Sequence, residues 1–245
     1  MTATLVLIPA CNEAERLGAV LDGVARTVPE AVRLVVDDGS VDATAAVASR
    51  HGAEVVRHPF NLGYGAALQT GYHYARRHGC DRLVQLDADG QHDPASIPTL
   101  LAALDAGADV VVGSRYRDER TPPTALGRRL GARALSWLVT TWTGVPITDP
   151  TSGFQALDAR ALETMVLDHF PEDYPDADVL IMLARHGLKL AEVPVRMHPR
   201  AGGVSMHRGS RVAYYAYKMI LTLSLLPIRR ASPYRAGRAV ATRTS

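Results

Sequence analysis

Apolar residues fall along this chain in two alternating rhythms. Short, largely apolar runs of strand length occur at Leu5–Ile8, Leu34–Val36, Glu54–Arg57, Leu83–Leu86 and Val110–Val112. Between them, Ala14–Thr27, Ala43–His51, Gly65–His78 and Ala95–Ala106 are amphipathic and long enough for helices. Such alternation predicts βαβ units, hence an α/β fold with a mostly parallel central sheet and helices on both faces. Beyond Arg115 the rhythm breaks. Arg117–Leu126 is charged and Pro-rich and reads as a loop, and Gly127–Thr143 reads as a helix. The polar turn Thr148–Gln155 leads into a short strand. A helix at Ala159–Leu167, an acidic loop at Glu172–Asp178, a helix running to His186 and a strand at Leu190–Val195 complete the body.

Polar residues gather where the predicted strands end. Pro9-Ala10-Cys11-Asn12-Glu13 follows the first, Asp37-Asp38-Gly39-Ser40 the second, Asp87–Gln91 the fourth and Gly113-Ser114-Arg115 the fifth. Open parallel sheets bind ligands at the strands' carboxyl ends, near the point where strand order reverses. In Leu83–Asp93 an apolar run meets two carboxylates two residues apart. An extended chain past Leu86 would put Asp87 and Asp89 on one face. That pair suits a hard cation such as Mg²⁺, which takes one or two protein carboxylates and fills its shell with water and phosphate oxygens. A lone Asp-x-Asp is more often a plain acidic turn. Polar residues at four of the five strand ends favour loop chemistry on a rigid scaffold.

Each residue also has a structural alternative. Asn12 and Ser40 can cap the helices that follow them, and Asp38 before Gly39 suits a tight turn. Adjacent Asp37 and Asp38 repel unless one finds a donor, such as a nucleobase or ribose. The run Asn61–Ala67 is glycine-rich but lacks a full Gly-x-Gly-x-x-Gly and a phosphate-binding Lys. Close backbone packing at a helix start is the better account of it.

Composition places the chain among globular proteins: 47% of residues are hydrophobic and 21% charged. Two cysteines, Cys11 and Cys80, make no disulfide framework. No signal-peptide pattern precedes Leu5, and no apolar run has the length of a confident membrane span. The expectation is a cytoplasmic protein. The net charge of +2 hides a division. Ten of the 27 basic residues lie beyond Glu192, where no acid occurs, leaving 17 against 25 acids ahead of it. An acidic body is thus followed by a basic tail, which implies an anionic partner. The tail carries no recognised motif of a nucleic-acid binder, so nucleic acid is not expected.

The motifs Ile8–Glu13, Val36–Ser40, Asn61–Gly63, Asp87–Gln91, Gly113–Arg115, Ser152–Phe154 and Arg200-x-x-Gly203-x-Ser205 occur in this order. Together they resemble the family 2 inverting glycosyltransferases of the GT-A fold, in the branch of dolichol- and polyprenyl-phosphate sugar synthases. The resemblance spans about Leu5 to Ser205. It implies a Rossmann-like single domain over residues 1–206, followed by a basic amphipathic helix at 207–230 and a basic tail at 231–245. It also implies metal-dependent transfer of a sugar from a UDP- or GDP-sugar to a polyprenyl or dolichyl phosphate. Pro9, Cys11, Asn12, Glu13 and Asp38 would lie along the nucleotide. Asp87 and Ala88 would approach the diphosphate, and Asp89 and Gln91, with Asp87, would hold Mg²⁺ or Mn²⁺. Arg115 would face the acceptor phosphate, with one of Arg128, Arg129 or Arg133, and Arg200 would meet the donor diphosphate. Asp89, Arg115 and Arg200 are thus the implied catalytic set. Cys11 stands where the family often has Tyr, and Met206 where a basic residue is common, with Arg208 close by.

Three other readings compete. A hydroxyl acceptor would need a base, for which Asp173, Asp176 and Asp178 are candidates. A non-catalytic sugar-nucleotide-binding subunit is disfavoured by the intact Asp87, Asp89, Gln91 and Arg200. A sugar-nucleotide pyrophosphorylase would need a basic residue in a Gly-rich first loop, and Pro9–Glu15 has none.

In the tail, Val212–Leu226 is apolar except for Lys218 and a few hydroxyls. As a helix it reaches only about 22 Å, short of the ~30 Å hydrocarbon core. Arg208, Arg211, Arg229 and Arg230 bracket it, each worth roughly 1 kcal/mol at an anionic leaflet. Truncation before Arg208 is expected to abolish pelleting with anionic vesicles at low salt. Undiminished pelleting would mean that the segment packs on the body instead.

Overall fold

The computed structural model describes residues 3–117, 126–166 and 177–198, with only the backbone given for 126–132. The loops expected over 117–126 and 172–178 fall almost wholly outside the described residues. So do Arg200, the Gly203–Ser205 motif and the tail segments 207–230 and 231–245. Seven strands form one sheet: β1 (Thr4–Ala10), β2 (Val32–Asp37), β3 (Glu54–Arg57), β4 (Arg82–Gln85), β5 (Val110–Ser114), β6 (Gln155–Asp158) and β7 (Leu190–Pro194). Their spatial order is β3-β2-β1-β4-β6-β5-β7. Among the described residues seven helices accompany them: α1 (Ala14–Thr27), α2 (Thr44–Arg50), α3 (Tyr64–Arg77), α4 (Ile97–Asp105), α5 (Leu126–Thr143), α6 (Ala159–Met165) and α7 (Ala177–Arg185). A 3₁₀ turn at Pro94–Ser96 precedes α4, and Asp93 caps it by accepting from the Ala95 amide.

The apolar runs become strands because both of their faces are covered. Along β1, Leu5 and Leu7 pack into a layer shared with Leu68, Tyr72 and Leu162. Val6 and Ile8 face the opposite layer with Leu17, Leu21 and Leu100. A strand buried on both sides loses the polar alternation of a half-exposed one and reads as a continuous apolar run. Helix α1 meets it with Leu17, Val20, Leu21 and Val24, the spacing of one helical face.

Strand order reverses beside β1. The chain steps outward through β2 to β3, then returns to lay β4 on the other side of β1. The carboxyl ends of β1 and β4 therefore flank the topological switch point. The short strand expected after the Thr148–Gln155 turn is β6, which already begins at Gln155 and is antiparallel to both β4 and β5. The reason lies at the end of β5. Ser114 Oγ is 2.7 Å from Thr148 Oγ1, and Arg115 is bound to Asp149. The chain thus re-enters the sheet from its carboxyl edge and must run back down. Strand β4 ends at Gln85, before the expected Leu86, and residues 88–90 form a turn. Even so, Asp87 and Asp89 are half-buried and the intervening Ala88 is buried.

Helix α3 crosses β1 so closely that a Cβ on Gly71 would land inside the side chain of fully buried Leu7. Gly71→Ala should gain up to ~1 kcal/mol of helix propensity but lose about 1–3 kcal/mol to overpacking. A net fall in the urea midpoint at unchanged m-value is the expected result. A rise would show that α3 can shift off the sheet.

Candidate functional site

At the switch point the loops are tied to one another through side chains. The backbone N–H of Asn12, held at a φ of 56°, donates to Ser40 Oγ at 2.9 Å. In return Asn12 Oδ1 accepts from the Val41 amide at 2.9 Å. Thr44 Oγ1 and Asp42 Oδ2 accept from the amides of Glu13 and Ala14, which are the first donors of α1. Burial works against the Asp42 charge, but the Thr44 hydroxyl and several amides outweigh it and lower its pKa. Asn12 and Ser40 therefore clasp two loops together; neither caps the helix that follows it.

Both members of the Asp37-Asp38 pair find donors within the protein. Asp37 is fully buried, accepts from the Ser40 amide and lies 3.1 Å from Arg57 Nε. Asp38 accepts from His58 Nδ1 and the Leu62 amide through Oδ1, and from the Gly63 amide through Oδ2. This carboxylate, 4% exposed, is what shapes the Asn61-Leu62-Gly63 turn. The amides that a phosphate-cradling loop would offer are already taken. The sequence expectation that Asp38 reaches the base or ribose meets a side chain with three donors in place. Gly39 follows at a φ of +68°, pressed against the backbone of Phe60 and Asn61, where no larger residue fits.

Other predicted residues stay closer to the open edge. Pro9 and Ala10 are buried at the end of β1, and Cys11 is partly exposed with Asn61 Nδ2 3.2 Å from its sulfur. Burial, aided by the charges of Asp38, Asp37 and Asp42, raises the Cys11 pKa against the opposing Asn61 hydrogen bond. Glu13 is paired with Arg16 at 2.6 Å. Ala88 turns its side chain into the core.

The Asp87–Gln91 turn is held from below. The Asp87 amide donates to Nδ1 of buried His92, whose ring stacks on Phe154 at 5.0 Å. Tyr64 O–H donates to Asp87 Oδ1 at 3.0 Å. Asp89 Oδ1 accepts from the Gln91 amide, and the Gln91 carbonyl accepts from the His198 amide at 2.7 Å. The chain after β7 is thus bonded to this turn just ahead of Arg200. Among the described residues no three His, Cys, Asp or Glu side chains cluster as a closed metal cage. An oxygen-only pair of partly exposed carboxylates fits a hard divalent cation that draws its other ligands from phosphate and water.

On the far side stands Arg115, with Nε 2.6 Å from Asp149 Oδ2. Burial opposes its charge, but Asp149 outweighs that and holds the guanidinium above its ordinary pKa, with Asp87 contributing. Arg115 and the Asp87 turn therefore share one field. Arg133 is exposed on α5, while the side chains of Arg128 and Arg129 lie outside the described residues. Asp178 is 5% exposed in the first turn of α7, so it is not a solvated loop charge. Asp173 and Asp176 lie outside the described residues. Sequence reasoning missed Tyr64, His92, Asp149 and Glu192. Only Asp149, next to the Ser-Gly-Phe motif, carried any signal.

The sequence pattern of the family "Glycosyl transferase family 2" matches residues 5–163. The polyprenol monophosphomannose synthase of Mycolicibacterium smegmatis is 35% identical over 228 residues, covering 88% of this chain and 85% of that protein. The undecaprenyl-phosphate mannosyltransferase of Micrococcus luteus is 35% identical over 222 residues, covering 85% and 88%. The fold recurs in glucosyl-3-phosphoglycerate synthase from Mycobacterium tuberculosis, solved with Mn²⁺, UDP-glucose and phosphoglyceric acid. That match has a TM-score of 0.69 at 24% identity and covers 96% of this chain and 82% of that one.

The Ser-Gly-Phe turn bears directly on the acid pair. A Cβ on Gly153 would sit 2.9 Å from the Tyr64 hydroxyl and 3.2 and 3.3 Å from the Asp87 carboxylate oxygens. Gly153→Ala should push Asp87 and Tyr64 apart and weaken Mn²⁺-dependent binding of UDP or GDP about tenfold or more, on the scale set by misplaced active-site groups. Calorimetric titration checks this; unchanged affinity would show that the Asp87 position is not critical.

Proposed function

The chain belongs to glycosyl transferase family 2, in the polyprenyl-phosphate sugar synthase branch. From that premise we propose that it moves a sugar from a nucleoside diphosphate sugar to a polyprenyl phosphate in a divalent-cation-dependent, inverting step. One observation carries the reading. At the sheet's switch point the partly exposed Asp87, two residues before the partly exposed Asp89, acts electrostatically on a guanidinium whose charge is secured from behind by Asp149.

The donor lies along the carboxyl ends of β1 and β4, with its nucleotide beside Cys11 and Glu13 and its diphosphate at Asp87–Gln91. Pro9, Asn12 and Asp38 act there by shaping the pocket's backbone. Asp89, with Asp87 and Gln91, would hold Mg²⁺ or Mn²⁺, which when bound offsets the charge gathering on the departing diphosphate. Arg200 supplies further positive charge to the diphosphate. An acceptor phosphate oxygen bonds to the anomeric carbon from the face opposite the leaving group. As that bond forms, the anomeric C–O bond breaks and its electron pair leaves with the nucleoside diphosphate.

Arg115 orients the acceptor. A hydroxyl acceptor would need a base within hydrogen-bond reach, whereas a phosphate monoester, with a second pKa near 6, arrives as a nucleophile. The carboxylate beside Arg115 is Asp149, buried and already committed to the guanidinium. That arrangement supports a phosphate acceptor. No helix among the described residues is long and apolar enough to cross a membrane. Access to the lipid is proposed to come from residues 207–230 resting on the anionic inner face.

Asp89→Asn should cut transfer by roughly 10²–10³, the scale of losing a charge-stabilising group, with the circular dichroism spectrum unchanged. Undecaprenyl phosphate should accept sugar and undecaprenol should not. Arg115→Ala should cripple transfer, while Asp173→Asn and Asp176→Asn should leave substantial turnover. Transfer to the alcohol, or loss of activity on neutralising one loop acid, would give the hydroxyl reading instead.

A further inference from the structure

Behind Arg115 lies a buried chain of charges that the transfer step itself does not use. Asp149 is fully buried, and its Oδ2 accepts from both the backbone N–H of Arg115 at 3.3 Å and its Nε at 2.6 Å. Asp149 is fixed in turn by Glu192 of β7. Glu192 Oε1 accepts from the amides of Thr148 and Asp149, at 2.7 and 2.9 Å. Glu192 Oε2 accepts from the Thr148 hydroxyl at 2.9 Å and is ion-paired with Arg117 Nε at 2.9 Å. With Thr148 donating to Glu192, the hydroxyl of Ser114 must donate to Thr148, and Ser114 Oγ accepts from the Tyr116 amide.

We propose that Asp149, braced by Glu192, is a positioning residue that aims Arg115 at the acceptor phosphate without touching substrate itself. The inference rests on the acceptor role given to Arg115 above. An unanchored arginine at a loop has several rotatable bonds, and each substrate encounter would have to order them. Here one carboxylate oxygen holds both main chain and side chain, so the guanidinium plane is set before the acceptor arrives. Engaging Nε leaves the two terminal nitrogens, the edge suited to a bidentate grip on a phosphate. A lone carboxylate at full burial would be strongly unfavourable unless paired and hydrogen-bonded. The Glu192 bridge supplies that support from a strand, the most rigid element at hand.

The test is a cycle of Arg115→Ala, Asp149→Asn and the double variant in the full chain. Undecaprenyl phosphate is the acceptor, and calorimetry with UDP and GDP plus Mn²⁺ gives donor-site affinity. Asp149→Asn should raise the acceptor KM on the order of ten- to a hundredfold with nucleotide affinity unchanged. In the Arg115→Ala background it should add little, because the two act as one unit. Should Asp149→Asn fail to fold, Asp149→Glu keeps the charge, displaces the guanidinium by a methylene and should give the same acceptor-only defect. Parallel loss of nucleotide affinity, additive effects, or an unchanged acceptor KM in these variants would overturn the positioning role. An acceptor KM unmoved by Arg115→Ala itself would instead refute the acceptor assignment beneath it.

Discussion

The site depends on carboxylates removed from water and surrounded by donors. Burying an ionised carboxylate without partners is costly enough that such groups survive only when paired and hydrogen-bonded. Asp37 and Asp38 at the end of β2, Asp149 in the loop before β6 and Glu192 within β7 each meet that condition. Each then acts as a fastener, because the groups that satisfy it come from other loops. Asp38 gathers His58, Leu62 and Gly63, and Glu192 gathers Thr148, Asp149 and Arg117. Loops that would otherwise be the loosest part of an α/β sheet are thereby bound into one rim.

The same constraint separates structural acids from those proposed to bind the cation. Asp87 and Asp89 keep part of their surface in water and retain carboxylate capacity for an incoming cation. Tyr64, His92 and Gly153 determine where Asp87 sits without neutralising it. The Tyr64 hydroxyl donates to the Asp87 carboxylate while His92 accepts only the Asp87 amide, so these contacts add no cation to the carboxylate proposed to bind one.

Much of this was legible in the sequence, for a physical reason. Strands sandwiched between helices must be apolar on both faces, so β1, β2, β4 and β5 announced themselves as runs, and α1 by its 3.6-residue spacing. The bounds of α1 and β3 agree with the reading to the residue. The Asp87–Gln91 turn and Arg115 were legible because chemistry restricts residue choice at strand ends. The direction of β6 was not, since a short strand reads alike both ways. Nor was the work done by Asp38 or the Asn12–Ser40 clasp. Their partners lie 20 and 28 residues away, respectively, in segments with no shared periodicity. An Asp-Asp pair looks the same in sequence whether it meets a nucleotide or its own loops.

The placement of charge also bears on the order of events. Before a cation arrives, Asp87 and Asp89 present negative charge to a donor whose diphosphate is negative too. Like charges within a few ångströms oppose each other by several kcal/mol at a partly screened site, so under the proposed mechanism cation and donor would enter as a unit or with the cation first. Arg115 differs, because Asp149 already offsets its charge from the buried side. It can therefore sit empty beside the acids without collapsing onto them, and still present donors to a dianionic acceptor. On the proposed roles, a pre-balanced acceptor subsite beside one that needs a cation favours a route in which the metal–nucleotide complex, and not the acceptor, decides when the site is ready.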